Sequence, residues 1–241
     1  MQQGISIIIP VVNEAARIAK TVRQFKLHPM HPRLEVIVVD GGSKDKTRSA
    51  ALDAGAIVIE CEQRSRAVQM NEGAKQANYD ILYFVHADVA VPESFYDDIM
   101  EALQAGFGCG CYRSDFDSYP GLMKINAFMT RFKILSFRGG DQTLFIAKHL
   151  FQQLNGFDAY YCIMEDYDFI RRIWKSKIAF KLIQKAVTIS TRKYQRNSWL
   201  RVQIANGVAM FMFNQGIRPE EIKKTYRKLV NHQKENYKVF S

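Results

Sequence analysis

Ile81-Leu82-Tyr83-Phe84-Val85 runs without interruption into His86-Ala87-Asp88. An apolar run of this length, ended by polar residues, reads as a strand buried on both faces, as in a parallel sheet covered by helices. In open α/β sheets, ligands bind beyond the carboxyl ends of the strands. Asp88 therefore falls where a substrate would sit, with an imidazole two residues before it. Mg²⁺ and Mn²⁺ are held by one or two carboxylates together with substrate phosphate oxygens, so a cation on Asp88 is one reading. A carboxylate that ends the strand or caps the helix after Pro92 is the other.

The same alternation extends to both sides. Ile5-Ser6-Ile7-Ile8-Ile9 is a β-branched run, Leu34 to Val39 a second that ends at Asp40-Gly41-Gly42-Ser43, and Ala56 to Glu60 a third. Helices are expected between them: from about Glu14 to Phe25 with Asn13 as cap, from Ser43 as cap to Ala54 with Gly55 closing it, and from Arg64 to Ala77. Pro92, placed at a first helical position with Glu93 and Asp97 near by, predicts a helix to about Leu103. Strand–helix alternation of this kind predicts an α/β fold with a mostly parallel sheet and helices on both faces. The second half is less regular. Phe107–Arg113, Thr143–Ile146, Phe180–Ile183 and Val187–Ile189 read as strands. Leu122–Leu135, Glu165–Lys175, Asn197–Phe213 and Pro219–Lys234 read as helices, and Gly139-Gly140-Asp141 as a turn.

With 47% apolar and 24% charged residues, the 241-residue chain is ordinary globular material, not a disordered or fibrous one. The four cysteines, with Cys109 and Cys111 two apart on one strand face, read as buried thiols; zinc pairs want wider spacing and a second pair. Met1-Gln2-Gln3-Gly4 has no basic leader, and the apolar stretch Val202–Phe213 is too short and too polar to span a bilayer. The expected location is the cytoplasm, with any membrane contact peripheral at the inner face. The net charge is +10. Between Phe169 and Pro219 there are eleven Lys and Arg and no acid. A one-signed field of this size attracts anions: nucleic acid, lipid headgroups or a phosphorylated substrate. A solvated basic surface is the plainer alternative.

Read together, Ile7-Ile8-Ile9-Pro10-Val11-Val12-Asn13-Glu14, Val38-Val39-Asp40-Gly41-Gly42-Ser43-Lys44-Asp45, His86-Ala87-Asp88, Gly156-Phe157 and Glu165-Asp166-Tyr167-Asp168 resemble the family 2 glycosyltransferases of GT-A fold. Arg64 to Asn71 resembles a further block of the small bacterial members without membrane spans. The resemblance implies a single domain, with residues 1–113 as a Rossmann-like nucleotide-binding half and 114–241 as an acceptor half. It implies a nucleotide-sugar donor, UDP-linked by preference, contacted by Pro10, Val12, Asn13, Glu14, Asp40, Arg66, Asn71, His86 and Ala87. It implies Mn²⁺ or Mg²⁺ on Asp88, which matches the second acid of the family's Asp-x-Asp; His86 departs from that pattern. It implies a general base at Asp166, with Glu165 as the substitute, and an inverting transfer.

Asp168 is expected to pair with Arg171 or Arg172 on its own helix. Asp141, Arg192 and Arg196 are candidates for the diphosphate or acceptor. Gln195-Arg196 and Trp199 loosely resemble a motif of processive members, but the spacing is wrong for it. The acceptor is unknown, with an anionic or phosphorylated one fitting the charge, and a homo-oligomer is left open. The alternatives are a sugar nucleotidyltransferase, disfavoured by the glycine-free first loop, and a non-catalytic nucleotide or polyanion binder. Nucleic acid is not expected, since three acids at one helix start would repel it and aromatic platforms are few.

Overall fold

A computed structural model describes residues 4–117, 123–137, 143–190 and 197–230, with backbone alone at 123, 125, 126 and 137. Four apolar runs form strands β1 (Ile5–Val11), β2 (Leu34–Asp40), β3 (Ile57–Glu60) and β4 (Ile81–Phe84). β1 pairs in parallel with β2 and β4, and β2 with β3. β5 (Val89–Ala90), β6 (Cys109–Phe116), β7 (Leu144–Ala147) and β8 (Phe180–Ile189) complete one sheet in the order β3-β2-β1-β4-β7-β6-β8-β5. Only β7 and β5 run against the rest, so the sheet is mostly parallel, as expected.

Nine helices are described: α1 (Ala15–Lys26), α2 (Thr47–Asp53), α3 (Arg66–Gln76), α4 (Phe95–Gln104), α5 (Met123–Met129), α6 (Lys148–Gln153), α7 (Glu165–Lys175), α8 (Trp199–Asn214) and α9 (Pro219–Leu229). Successive side chains of a strand point to opposite faces, and here both faces are buried. Ile5, Ile7 and Ile9 meet Ile18, Val22 and Phe25 of α1, with Phe95 and Ile99 of α4 in the same core. Ile8, Val39, Leu82 and Phe84 turn the other way, toward Ala67, Met70 and Ala74 of α3 and Phe169 and Ile173 of α7. Gly73 lets α3 lie this close: a Cβ there would stand 2.5 Å from Ile8 Cγ2. A third cluster joins Ile163 and Met164 to Phe213 of α8 and Ile222 of α9.

The thiols of Cys61, Cys109 and Cys111 are buried and form no disulfide among the described residues, and burial pushes Cys109 up to about 12. No described helix is long and apolar enough to cross a membrane.

Several expectations need correction. Asn13 does not cap α1; it adopts φ 55° and the helix starts after Glu14. Ser43 does not cap α2, which starts at Thr47. Pro92 lies before α4 rather than at its first position: its carbonyl accepts from Phe95 N, a turn that delays the helix, and Ser94 is the cap residue. The two short strands expected between Phe180 and Ile189 are one. Its pairing with β6 jumps from Tyr112–Ile183 to Arg113–Ala186, leaving Gln184 and Lys185 bulged. Arg113 donates to the Gln184 carbonyl and Lys185 pairs with Asp98 at 2.5 Å, so polar residues interrupt the apolar pattern without ending the strand.

Half of the eight described cations in the basic stretch, Lys185 among them, pair with acids outside it. Arg171 and Arg172 pair with Asp168 at 3.1 and 2.7 Å, and Arg218 with Glu221 at 2.8 Å. The expected Asp168 pairing is thus made twice over.

Candidate active site

β1 stands between β2 and β4, and the chain passes from β3, beyond β2, to β4 on β1's other side. This is the topological switch point at which open α/β sheets leave a crevice beyond their carboxyl ends. Three loops meet there: Pro10 to Glu14, Asp40 to Ser43, and His86 to Asp88.

The first two loops are laced together by backbone donors, which would otherwise be left unmet beyond the strand ends. Gly41 N donates to Val11 O at 2.9 Å. Asn13 N donates to Ser43 Oγ at 2.8 Å, and Asn13 Oδ1 accepts from Lys44 N at 2.8 Å. Glu14 N donates to Thr47 Oγ1 at 2.8 Å. Burial pushes Asp45 up, but bonds from Thr47 and Ala15 N outweigh it and hold the carboxyl below its usual range. Gln69 of α3 donates to both Val11 O and Val39 O, at 3.0 and 2.7 Å. A Cβ on Gly41 would touch Gln69 and Val12 at 3.0 Å, and Gly42 sits at φ 81° with its carbonyl bonded by Arg64. Packing and turn geometry therefore account for both glycines. Asp40 is buried; its carboxylate accepts from Ser43 N at 3.0 Å and from Ser43 Oγ, with Arg48 3.8 Å away.

The third loop is held from α1. Thr21 Oγ1 donates to Ala87 O at 2.5 Å; Gln24 donates to Val89 O at 3.1 Å and accepts from Val91 N at 3.0 Å. Val89 pairs with Ile189 at the end of β8. His86 and Asp88 are partly buried, Ala87 fully. Among the described residues no three His, Cys, Asp or Glu gather at metal-binding range. The Asp88 carboxylate is the hard oxygen donor that Mg²⁺ and Mn²⁺ take together with substrate oxygens and water.

α7 brings in the acids. Its N-cap residue, Met164, is left-handed at φ 71°, a state that costs an L-residue roughly 1–2 kcal/mol. Its side chain is buried in the third cluster, which fixes it there. Glu165, Asp166 and Asp168 occupy the first turn, favoured by the helix dipole. Their surroundings differ. Asp168 is used by its two arginines. Glu165 is buried and pairs with Arg66 at 3.1 Å; Asp166 lies 3.9 Å from the same guanidinium, with its side chain 15% exposed. Arg66 therefore links α3 to the acids of α7.

Asn71, expected among the nucleotide contacts, has both ends of its amide bonded within the fold. Its Nδ2 donates to Phe157 O at 2.8 Å and its Oδ1 accepts from Phe157 N at 2.9 Å, clamping the loop that leads to α7. Asn71→Ala is expected to destabilise the fold by about 2 kcal/mol, the cost of two orphaned backbone groups. Urea unfolding of the variant checks this.

Residues missed by the sequence reading are Thr47 and Gln69, which shape the first two loops, and Thr21 and Gln24, which hold the third; Ser43, expected as a cap, instead ties the first two loops together. A polar residue on the buried side of a helix, as at Thr21 and Gln69, was the available signal. Asp141, Arg192 and Arg196 lie outside the described residues.

Comparison with known proteins bears on this arrangement. Residues 6–163 match the model of Glycosyl transferase family 2. Glycosyltransferase AglE of Haloferax volcanii is 38% identical over 92 residues, 35% of this chain and 30% of AglE. The chain thus matches under a third of that relative's length. The mannosyltransferase PcManGT from Pyrobaculum calidifontis, in complex with GDP-Man and Mn²⁺, superposes with a TM-score of 0.70 at 17% identity, over 95% of this chain and 70% of that one. Glucosyl-3-phosphoglycerate synthase from Mycobacterium tuberculosis, in complex with Mn²⁺, UDP and glucosyl-3-phosphoglycerate, gives 0.61 at 17% identity, over 89% and 81%. At such identities the structures speak for the fold, which is GT-A. The family match covers every loop of the crevice and well over half of the chain, so this protein belongs to glycosyl transferase family 2.

Proposed function

We propose that the chain transfers a sugar from a nucleotide-sugar donor, UDP-linked by preference, to an acceptor hydroxyl with inversion at the anomeric carbon. One observation carries the reading. The loops after β1, β2 and β4 converge at a switch point, with Asp88 on one of them. The nucleoside is read by the Pro10–Glu14 loop, by Asp40, whose carboxylate is held by Ser43, and by His86 and Ala87. Asp88 binds a divalent metal together with the donor diphosphate. When bound, Mn²⁺ or Mg²⁺ supplies charge neutralisation for the departing nucleoside diphosphate. Two structural relatives carry such groups: Mn²⁺ with GDP-Man in one, Mn²⁺ with UDP in the other.

Asp166 is the general base. Its carboxylate takes the proton of the acceptor hydroxyl as that oxygen bonds to the anomeric carbon. The bond from that carbon to the diphosphate oxygen breaks, and the nucleoside diphosphate leaves with its electron pair. Exposure favours Asp166 over Glu165, which is buried against Arg66. Arg66 acts as a positioning residue, holding both acids at the start of α7. The donor contact expected of Arg66 is proposed alongside this positioning role.

The test is donor hydrolysis by the wild-type chain in Mn²⁺ across a panel of UDP- and GDP-sugars. Turnover highest with a UDP-sugar is expected. Turnover with none of them contradicts the reading.

A further inference from the structure

Beyond the crevice, α9 forms one wall of a second cleft, of about 540 Å³, lined by Cys162, Glu220, Lys223, Lys224, Arg227 and Lys228. Spacings of one, four and five residues set the four cations on one side of the helix. Among the described residues none of the four lies within ion-pair distance of a carboxylate, whereas Arg218 at the start of α9 pairs with Glu221. Like charges four residues apart repel. Favourable charge at the carboxyl end of a helix dipole explains Arg227 and Lys228. It does not explain Lys223, which stands near the middle of α9, half-buried against Cys162. Burial pushes the Lys223 ammonium down from its ordinary value, and Arg227 adds to the effect. Glu220 in the lining and Glu165 offset part of this charge at Lys223, but four cations face one acid across the cleft, so it carries a net positive charge partly stripped of water.

The cleft also adjoins the reacting end of the molecule. Ile222, next to Lys223, packs in one cluster with Ile163 and Met164. Met164 is the cap residue from which Glu165 and Asp166 project. The charge of Glu165 acts on both Lys223 and Cys162. An acceptor anchored on α9 would therefore lie beside the proposed base.

We propose that this cleft binds the phosphate monoester of the acceptor, so that the hydroxyl to be glycosylated belongs to a phosphorylated molecule. The inference rests on the transferase reading above and names its acceptor class. Lysines and an arginine fork supply charge-assisted bonds to phosphate oxygens, the geometry such groups favour. The phosphate is either on a small soluble ester or on a lipid headgroup.

The test uses the full chain loaded with UDP and Mn²⁺, so that the donor site is filled. It is titrated calorimetrically with glycerol 3-phosphate, then mixed with phosphatidylcholine vesicles with and without phosphatidic acid. The exposed double variant Arg227→Gln/Lys228→Gln is run beside it. Saturable glycerol 3-phosphate binding, weakened at least tenfold in the variant, supports a soluble acceptor. Cosedimentation with the phosphatidic acid vesicles, lost in the variant, supports a lipid one. Absence of both, or binding equal in the variant and the wild type, overturns the proposal. UDP affinity serves as the separate control: equal values in both proteins keep the donor reading intact whichever way the cleft behaves. Failure of the wild type to bind UDP sinks the donor reading and, with it, the acceptor role of the cleft.

Discussion

Asp166→Asn is expected to lower sugar transfer by roughly 10²–10⁴-fold, the usual worth of a general base. The amide keeps the shape of the carboxylate but cannot take a proton from the acceptor hydroxyl. The fold should survive, because Arg66 retains Glu165 at 3.1 Å as its counter-charge. UDP affinity should survive as well, since the nucleoside contacts proposed here come from other loops. Steady-state turnover together with UDP titration separates the two effects. A variant that binds UDP and transfers at the wild-type rate would remove Asp166 from the role. Glu165→Gln should behave differently. It strips a buried partner from Arg66, so its loss should appear in thermal stability as much as in turnover.

Asp88→Asn is the second large effect. A ligand carboxylate binds the metal directly, so its loss should exceed the roughly 10–100-fold that outer-shell partners of a metal cost. The expected signature is a rise of more than about 100-fold in the Mn²⁺ concentration needed for half-maximal turnover. His86→Ala is the informative comparison, because a ribose contact predicts weaker UDP binding with an unchanged Mn²⁺ requirement. Identical Mn²⁺ curves for Asp88→Asn and wild type would place the metal elsewhere.

Much of the site was legible because it lies at the ends of strands that advertise themselves. β1, β2 and β4 are mostly β-branched or apolar, Ser6, Glu35 and Asp40 apart, and buried on both faces, so their carboxyl ends could be read to within a residue or two. α7 was legible for another reason: three acids open it and its apolar residues recur at helical spacing. What failed was local and polar. Asn13 is a good cap residue by type, but its backbone is left-handed and its side chain bonds Lys44. β5 has two residues and exists only because β8 offers it an edge. The bulge at Gln184 and Lys185 broke a periodicity that assumes regular pairing. In each case the deciding partner comes from elsewhere in the chain, and no local pattern carries it.

The basic second half shows the same limit. Composition suggested a broad anionic partner, but Arg171, Arg172, Lys185 and Arg218 find acids contributed by residues outside the stretch. Four cations that no described carboxylate pairs stand together on α9, beyond the segment that composition singled out. A count of charges along a sequence cannot tell a paired guanidinium from an unsatisfied one.

The central claim is that the crevice beyond β1, β2 and β4 binds a nucleoside diphosphate through a divalent metal. Calorimetric titration of the wild-type chain with UDP, once in Mn²⁺ and once in EDTA, tests it most directly. Saturable binding in Mn²⁺ that is lost or strongly weakened in EDTA is the predicted result. Binding of equal strength in both, or no binding in Mn²⁺, would contradict it.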